Sequence, residues 1–105
     1  MKLLTKEIAR TLPPLYAQEK EGIEAIVHVK YFTPDAQWTW FITEGSPVED
    51  GHGNIVDYRF FGLVHGMEKE YGYTLLSQLA KLRGPLGLPV ERDLHWKPTK
   101  LADIN

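Results

Sequence analysis

Apolar and polar residues alternate in three stretches in the middle of the chain, which is the pattern of half-buried strands. The stretches are EAIVHVKYF (residues 24–32), WTWFIT (38–43) and IVDYRFFGLV (55–64), and all are rich in β-branched and aromatic residues. TPDAQ separates the first two and EGSPVEDGHGN the last two, and both have the composition of turns and polar loops. We therefore expect three antiparallel strands that pair in sequence order.

A short helix is predicted before the first strand, in TKEIARTL (residues 5–12). Ile8 and Leu12 are four residues apart and so lie on one side of a helix. Thr5 is placed to cap the first turn, and the two prolines at 13–14 end the helix because proline has no backbone N–H to donate.

A second helix is predicted in YTLLSQLAKLRGP (residues 73–85), with Thr74 as N-cap and Gly84 just past the end. One side of it is apolar and carries Leu75, Leu76, Leu79 and Leu82. The preceding HGMEKEYGY (65–73) fits a helical turn or a loop, and PVERDLHW (89–96) fits a fourth strand.

These elements predict an α+β fold in which a small antiparallel sheet of three to five strands packs against two or three helices. The chain is 43% hydrophobic and 25% charged, as is usual for globular proteins, and we expect a single globular domain over residues 1–105. The chain has no cysteine, which excludes disulfides, thiolate zinc sites and a cysteine nucleophile. MKLLTKEIAR returns to charged residues after two leucines, so we predict no signal peptide, no membrane span and a cytoplasmic protein.

Charge is unevenly distributed along the chain although the net charge is only −2. No Lys or Arg lies between Lys30 and Arg59. The acidic residues of that interval are Asp35, Glu44, Glu49, Asp50 and Asp57. We interpret them as an interaction surface for a protein partner with a basic surface, because complementary charge steers association. Direct binding to nucleic acid is not expected without a basic patch.

Candidate catalytic and metal-binding residues are scattered along the chain. The four histidines form no HxH or HxxxH pair, so no metal site and no cofactor are predicted, although His52 and His65 each have an acidic neighbour in sequence. Ser46 and Ser77 lack the glycine-framed turn of a serine nucleophile. A hydrolase site would have to be assembled from separate segments, using Glu44, Asp57, His65 and Asp93.

Several segments in a fixed order carry a resemblance to a known family: LPPLYAQE, VKYFTPDAQWTWFITEG, YRFFGLV, EYGYTLLSQL and the C-terminal signature RGPLGLPVERDLHW. The chain resembles a family of small prokaryotic proteins with an uncharacterised domain, encountered on plasmids, phages and other mobile elements. The resemblance implies a cytoplasmic α+β domain in a mobile-element setting. It implies no established activity and therefore no catalytic residues. The matching polar positions are Thr39, Glu44, Glu70, Arg83, Glu91, Arg92 and Asp93.

The signature ends in a charged cluster formed by Arg83, Glu91, Arg92 and Asp93. In the structural interpretation, which we favour, Arg83 pairs with Glu91 or Asp93 across the GPLGLP turn and fixes its geometry. In the functional interpretation, Glu44, Arg92 and Asp93 line a polar cleft, because buried unpaired charges are costly to keep without a function.

Two classes of function follow from these residues. The first is a non-catalytic interaction protein associated with mobile elements, including inhibition of a host nuclease defence through the acidic surface. The alternative is a small metal-dependent or carboxylate-based hydrolase. The discriminating observation is whether Glu44, Asp57, His65 and Asp93 converge in one pocket.

Overall fold

Seven strands and four short helical segments make up the computed structural model, which describes residues 1–104. The strands are β1 Ile26–Val27, β2 Val29–Phe32, β3 Thr39–Glu49, β4 Ile55–His65, β5 Lys69–Leu75, β6 Glu91–Arg92 and β7 Thr99–Lys100. The α-helices are α1 Lys6–Thr11 and α2 Leu76–Lys81, and 3-10 segments span Glu19–Glu24 and Leu101–Asp103. Within residues 1–104 no helix is both long enough and apolar enough to cross a membrane.

The fold is built around a five-stranded sheet in the order β5-β4-β3-β2-β6, and β1 and β7 form a separate pair. The predicted pairing of three strands in sequence order is confirmed, since β2, β3 and β4 are antiparallel neighbours. The predicted strand over residues 24–32 is divided at His28, so that its first part pairs with β7 and its second part lies in the main sheet. β3 continues through EGSPVE, which we expected to be loop, because it pairs with β4 as far as Glu49.

The predicted α+β fold is wrong, because the protein is sheet-rich and its helical segments are small. Each α-helix has only six residues. The predicted cap of α1 is confirmed, since the Thr5 hydroxyl accepts a hydrogen bond from the Ile8 N–H. The predicted N-cap of α2 is wrong, because Thr74 belongs to β5 and pairs with Phe60. Pairing with β4 therefore outweighs the helical spacing at the start of the predicted second helix. HGMEKEYGY, expected to be a helical turn or a loop, contains most of β5.

The two faces of the main sheet carry separate hydrophobic clusters. Alternation along β3 places Trp40 and Ile42 on one face and Phe41 on the other. The first cluster includes the buried side chains Leu12, Val29, Tyr31, Trp40, Ile42, Phe60, Leu79 and Val90. The second includes Ala25, Val27, Phe41 and Leu101. Since β5 is at the edge of the sheet, its side chains on the second face extend beyond this cluster.

The close approach of β3 and β4 depends on Gly62, which pairs with Gly72 of β5. A Cβ at Gly62 would meet the carbonyl group of Phe41, whereas a Cβ at Gly72 would meet nothing within 4 Å. Gly62→Ala is therefore expected to lower the free energy of unfolding by about 1–3 kcal/mol through overpacking. Gly72→Ala, the matched control, should change it by less than about 0.5 kcal/mol. Urea denaturation of both variants checks this, and equal effects would contradict the close approach.

Candidate functional site: a tyrosine-lined cavity

A cavity of about 290 Å³ lies between the 3-10 segment Glu19–Glu24 and the edge of the main sheet. We call it the tyrosine cavity. Its lining includes four aromatic and two acidic residues: Tyr16, Phe61, Tyr71, Tyr73, Glu19 and Glu44. No lysine or arginine is among its lining residues in the described part of the chain. The cavity thus combines aromatic surface with negative charge.

Strand geometry brings three of the aromatic rings together. Tyr71 and Tyr73 are two residues apart on β5 and so project from the same face, and Tyr73 pairs with Phe61 on β4. The Phe61 ring centroid lies 5.0 Å from that of Tyr73 and 6.3 Å from that of Tyr71. Tyr71 and Tyr73 are nevertheless 56% and 52% exposed. They form an aromatic surface that is open to solvent.

Glu44 holds the fourth aromatic residue in place. Its side chain is only 3% exposed. One carboxylate oxygen accepts the Tyr16 N–H and the other accepts the Gln18 N–H, each at 2.8 Å. Both hydrogen bonds involve a charged acceptor and are therefore stronger than neutral ones. Glu44 thus fixes the backbone of the segment that carries Tyr16.

Tyr16 has an unusual backbone conformation, with φ of +74°. Non-glycine residues rarely adopt this left-handed region, and they stay there only where surrounding contacts impose it. Here the contacts are the Glu44 hydrogen bond and the neighbouring Gln18, whose side chain bonds both Ile26 and Thr43. The Tyr16 side chain is 62% exposed, so the constraint presents an aromatic ring to solvent.

The charges around the cavity affect the pKa of the Tyr73 hydroxyl. Hydrogen bonding with the Tyr16 side chain raises the pKa of Tyr73, followed in effect by burial and by the charges of Tyr16, Glu44 and Glu19. Glu19 and Glu44 thus place negative charge beside the Tyr73 hydroxyl.

This arrangement is suited to binding a cation. Aromatic faces attract ammonium and guanidinium groups through their quadrupoles, and carboxylates add direct charge attraction. The same carboxylates would repel a phosphate group. The arrangement therefore favours a basic side chain over a nucleotide.

Two residues of the predicted acidic surface, Glu49 and Asp50, are exposed at the hairpin between β3 and β4. Asp50 accepts the N–H groups of His52 and Asn54 at 2.7 and 3.0 Å. These bonds, with Asn54 the larger cause, lower the pKa of Asp50. Asp50 therefore fixes the conformation of the hairpin and also gives it negative charge. His52 takes part in the turn through its backbone N–H.

Two further acids of that surface have internal partners. Asp57 accepts hydrogen bonds from the backbone and the hydroxyl of Ser77, and the hydroxyl is the largest cause that lowers the pKa of Asp57. Asp35 accepts the N–H groups of Leu86 and Leu88 and so fixes the GPLGLP turn. Asp35 precedes β3, whereas Glu49 is its last residue and Asp50 follows it, so roughly 35 Å of strand separates Asp35 from the two hairpin acids. The structure does not bring the five predicted acids together.

The Arg83 side chain closes α2 by bonding to backbone. Its guanidinium donates to the carbonyl oxygens of Ala80 and Leu82, at 3.1 and 2.9 Å. The expected pairing of Arg83 with Glu91 or Asp93 is therefore replaced by a capping role at the end of the helix. Asp35 supplies the carboxylate that orders the turn instead.

The remaining charged residues of the signature do share a cavity. Glu91, Arg92 and Asp93 line it with Lys30 and His95. The Lys30 ammonium lies 3.8 Å from the Asp93 carboxylate. One Arg92 guanidinium nitrogen is buried without a hydrogen-bond partner among the described residues. Glu44 is outside this cavity, so the predicted cleft of Glu44, Arg92 and Asp93 does not form.

The residues proposed for a hydrolase are also dispersed. Glu44 lies on β3 and Asp93 follows β6, while Asp57 and His65 are eight residues apart on β4, a separation of roughly 26 Å. Residues 1–104 contain no group of three or more His, Asp or Glu side chains arranged to hold a metal ion. Asp57 and His65 are therefore too far apart to act on one bond, so the geometry does not favour the hydrolase hypothesis.

Sequence reasoning missed the tyrosines that define the cavity. The signal was present in EYGYTL, where Tyr71 and Tyr73 alternate with Glu70, Gly72 and Thr74 as in a half-exposed strand. We assigned the second half of that stretch to a helix because of the leucines that follow. Glu44 was identified as a candidate residue, although its role of positioning Tyr16 depends on a contact 28 residues away.

The fold and the cavity define a sheet-rich protein with an anionic, aromatic-lined cavity beside an edge strand. A family described as "Protein of unknown function (DUF2958)" matches residues 3–103, and the chain belongs to this family. No curated protein and no solved structure shows a match.

Proposed function

We propose that the protein is a non-catalytic interaction protein that binds a basic protein partner, with the tyrosine cavity as the principal contact. The observation that carries the proposal is the grouping of four aromatic rings and two carboxylates around one open cavity. Tyrosine is enriched among residues that dominate binding energy at interfaces, because it offers a large apolar ring and a polar end. An arginine or lysine of the partner would enter the cavity.

The exposed acids at the β3–β4 hairpin support the same proposal. Glu49 and Asp50 lie away from the cavity and attract a basic partner at longer range, which raises the association rate. Glu44 acts differently, since it is buried and holds Tyr16. Of the five acids in the predicted interaction surface, we therefore assign steering to Glu49 and Asp50 and recognition to Glu44.

A mobile-element setting is part of the proposal, with RGPLGLPVERDLHW as the family signature and the host cytoplasm as the site of action. Host nucleases bind nucleic acid through basic channels. An anionic protein with exposed tyrosines can occupy such a channel and compete with the nucleic acid. We therefore propose inhibition of a host nuclease defence as the biological role.

A matched pair of variants tests recognition by the cavity. Glu19 lines the cavity and Glu21 does not, although both are exposed in the same 3-10 segment. The probe is a seven-residue peptide of alternating arginine and valine, titrated by NMR. Glu19→Gln should weaken binding about fivefold, because two charges about 4 Å apart contribute roughly 1 kcal/mol in water. Glu21→Gln should leave binding unchanged.

Equal weakening by both variants would show that net charge alone attracts the peptide and would contradict recognition by the cavity. A peptide of alternating serine and valine that binds as tightly would do the same. Used as bait in host lysate, Glu21→Gln should retain the natural partner and Glu19→Gln should capture less of it.

A further inference from the structure

We propose that the basic partner binds as an added strand along the free edge of β5, so that its side chains enter the tyrosine cavity from a sixth strand of the sheet. This inference rests on the proposed function and specifies the form of the partner, which is an extended segment with basic side chains. Its basis is the position of β5, the direction of its backbone groups and the location of its tyrosines.

β5 is an edge strand of the main sheet. It pairs with β4 over all seven residues from Lys69 to Leu75. Its other edge pairs with no strand among residues 1–104. Unpaired N–H and C=O groups along such an edge are a template for a further strand.

The hydrogen bonds of β5 show which residues face outward. The Leu75 N–H donates to the Gln78 side-chain oxygen at 3.0 Å rather than to β4. In an antiparallel ladder the backbone groups of alternate residues point to opposite sides. Tyr73 and Tyr71, two and four residues before Leu75, therefore direct their N–H and C=O groups away from β4.

The outward-facing backbone and the cavity belong to the same two residues. An added strand would lie about 4.8 Å from β5 and bond to the backbone of Tyr71 and Tyr73. Every second side chain of that strand would project on the face that carries their rings. A basic side chain at such a position would lie beside Glu19 and Glu44, so backbone pairing supplies affinity and the cavity supplies selectivity.

Charge complementarity favours a basic segment over a second copy of this chain. Two copies paired edge to edge through β5 would place their tyrosine cavities side by side on one face of the joined sheet. Each copy would then bring its Glu19 carboxylate to the same face of the joined sheet, whereas a basic segment would bring the opposite charge, and like charges brought together at an interface are unfavourable.

The test compares how tightly two peptides with identical side chains bind to the full-length protein. One is the seven-residue arginine and valine peptide, and the other carries N-methyl groups on alternate backbone nitrogens, chosen so that one edge of the peptide strand has no N–H donor. We expect the N-methylated peptide to bind at least tenfold more weakly. We also expect the unmodified peptide to slow hydrogen exchange of the Tyr71 and Tyr73 amides at least tenfold, with the Gly72 amide as control because it faces β4.

Each outcome separates this inference from the proposed function. Equal affinity of the two peptides without protection of Tyr71 and Tyr73 would overturn strand addition while recognition of a basic ligand stands. Equal protection by a serine and valine peptide would support strand addition and contradict recognition of basic side chains. Protection without peptide that grows with protein concentration would assign the edge to a second copy and overturn the inference. Failure of every peptide to bind would overturn both proposals.

Discussion

Glu44→Ala is expected to lower the free energy of unfolding by about 2–5 kcal/mol, because two part-buried N–H donors lose a charged acceptor at a cost of roughly 1–3 kcal/mol each. The donors belong to Tyr16 and Gln18, and both bonds are 2.8 Å long. Without them the left-handed conformation of Tyr16 has lost its main support. Urea denaturation measures the stability change.

The matched control is Glu49→Ala, which removes an exposed carboxylate from the same strand. It should change the free energy of unfolding by less than about 0.5 kcal/mol. The loss of stability for Glu44→Gln should lie between those of Glu44→Ala and Glu49→Ala. The amide keeps one acceptor oxygen but places an NH₂ group near an N–H donor. Similar stabilities for Glu44→Ala and Glu49→Ala would refute the positioning role of Glu44.

Leu79→Ala is expected to lower the free energy of unfolding by about 2–5 kcal/mol, through lost apolar burial and the cavity left behind. Leu79 is 1% exposed and packs in the cluster on the first face of the sheet. It lies in α2, the helix that attaches the end of β5 to the core. The measurement is again urea denaturation, with the midpoint and slope both recorded.

Leu86→Ala is the control for the same change of side chain, because Leu86 is 79% exposed. It should shift the free energy of unfolding by less than about 0.5 kcal/mol. A loss below that value for Leu79→Ala would mean that α2 does not pack on the sheet. It would also remove the support for the position of β5.

In the proposed function, the anionic cavity and the free edge of β5 act together. A partner segment that adds to β5 would form backbone hydrogen bonds whatever its sequence. The cavity would then select segments with basic side chains. Under the proposed function, such a division would let a small protein recognise a basic channel in its partner.

Local sequence was sufficient where a pattern and its neighbours agreed. The alternation of IVDYRFFGLV and WTWFIT predicted β4 and β3, and their order in the chain predicted their pairing. Thr5 as the cap of α1 also followed from sequence, because capping depends on residues three positions apart. The family resemblance was likewise carried by the residues themselves.

Local sequence was insufficient where distant contacts competed with it. The leucines after Tyr73 have helical spacing, yet pairing with β4 extends β5 to Leu75 and leaves α2 only six residues. The predicted α+β fold failed for this reason, because hydrogen bonds to a neighbouring strand outweigh the small differences in intrinsic propensity.

The sequence by itself determined the central strands, the cap of the first helix, the absence of cysteine chemistry and the excess of acids in the middle of the chain. Tertiary structure decided the use of those acids. Glu44 is buried and bonds to Tyr16, and Glu49 is exposed. Asp35 bonds to the GPLGLP turn, and Asp57 bonds to Ser77 at the start of α2. The physical reason is that a carboxylate takes its role from the donors around it, and for Glu44, Asp35 and Asp57 these include donors that lie 20 to 53 residues away along the chain.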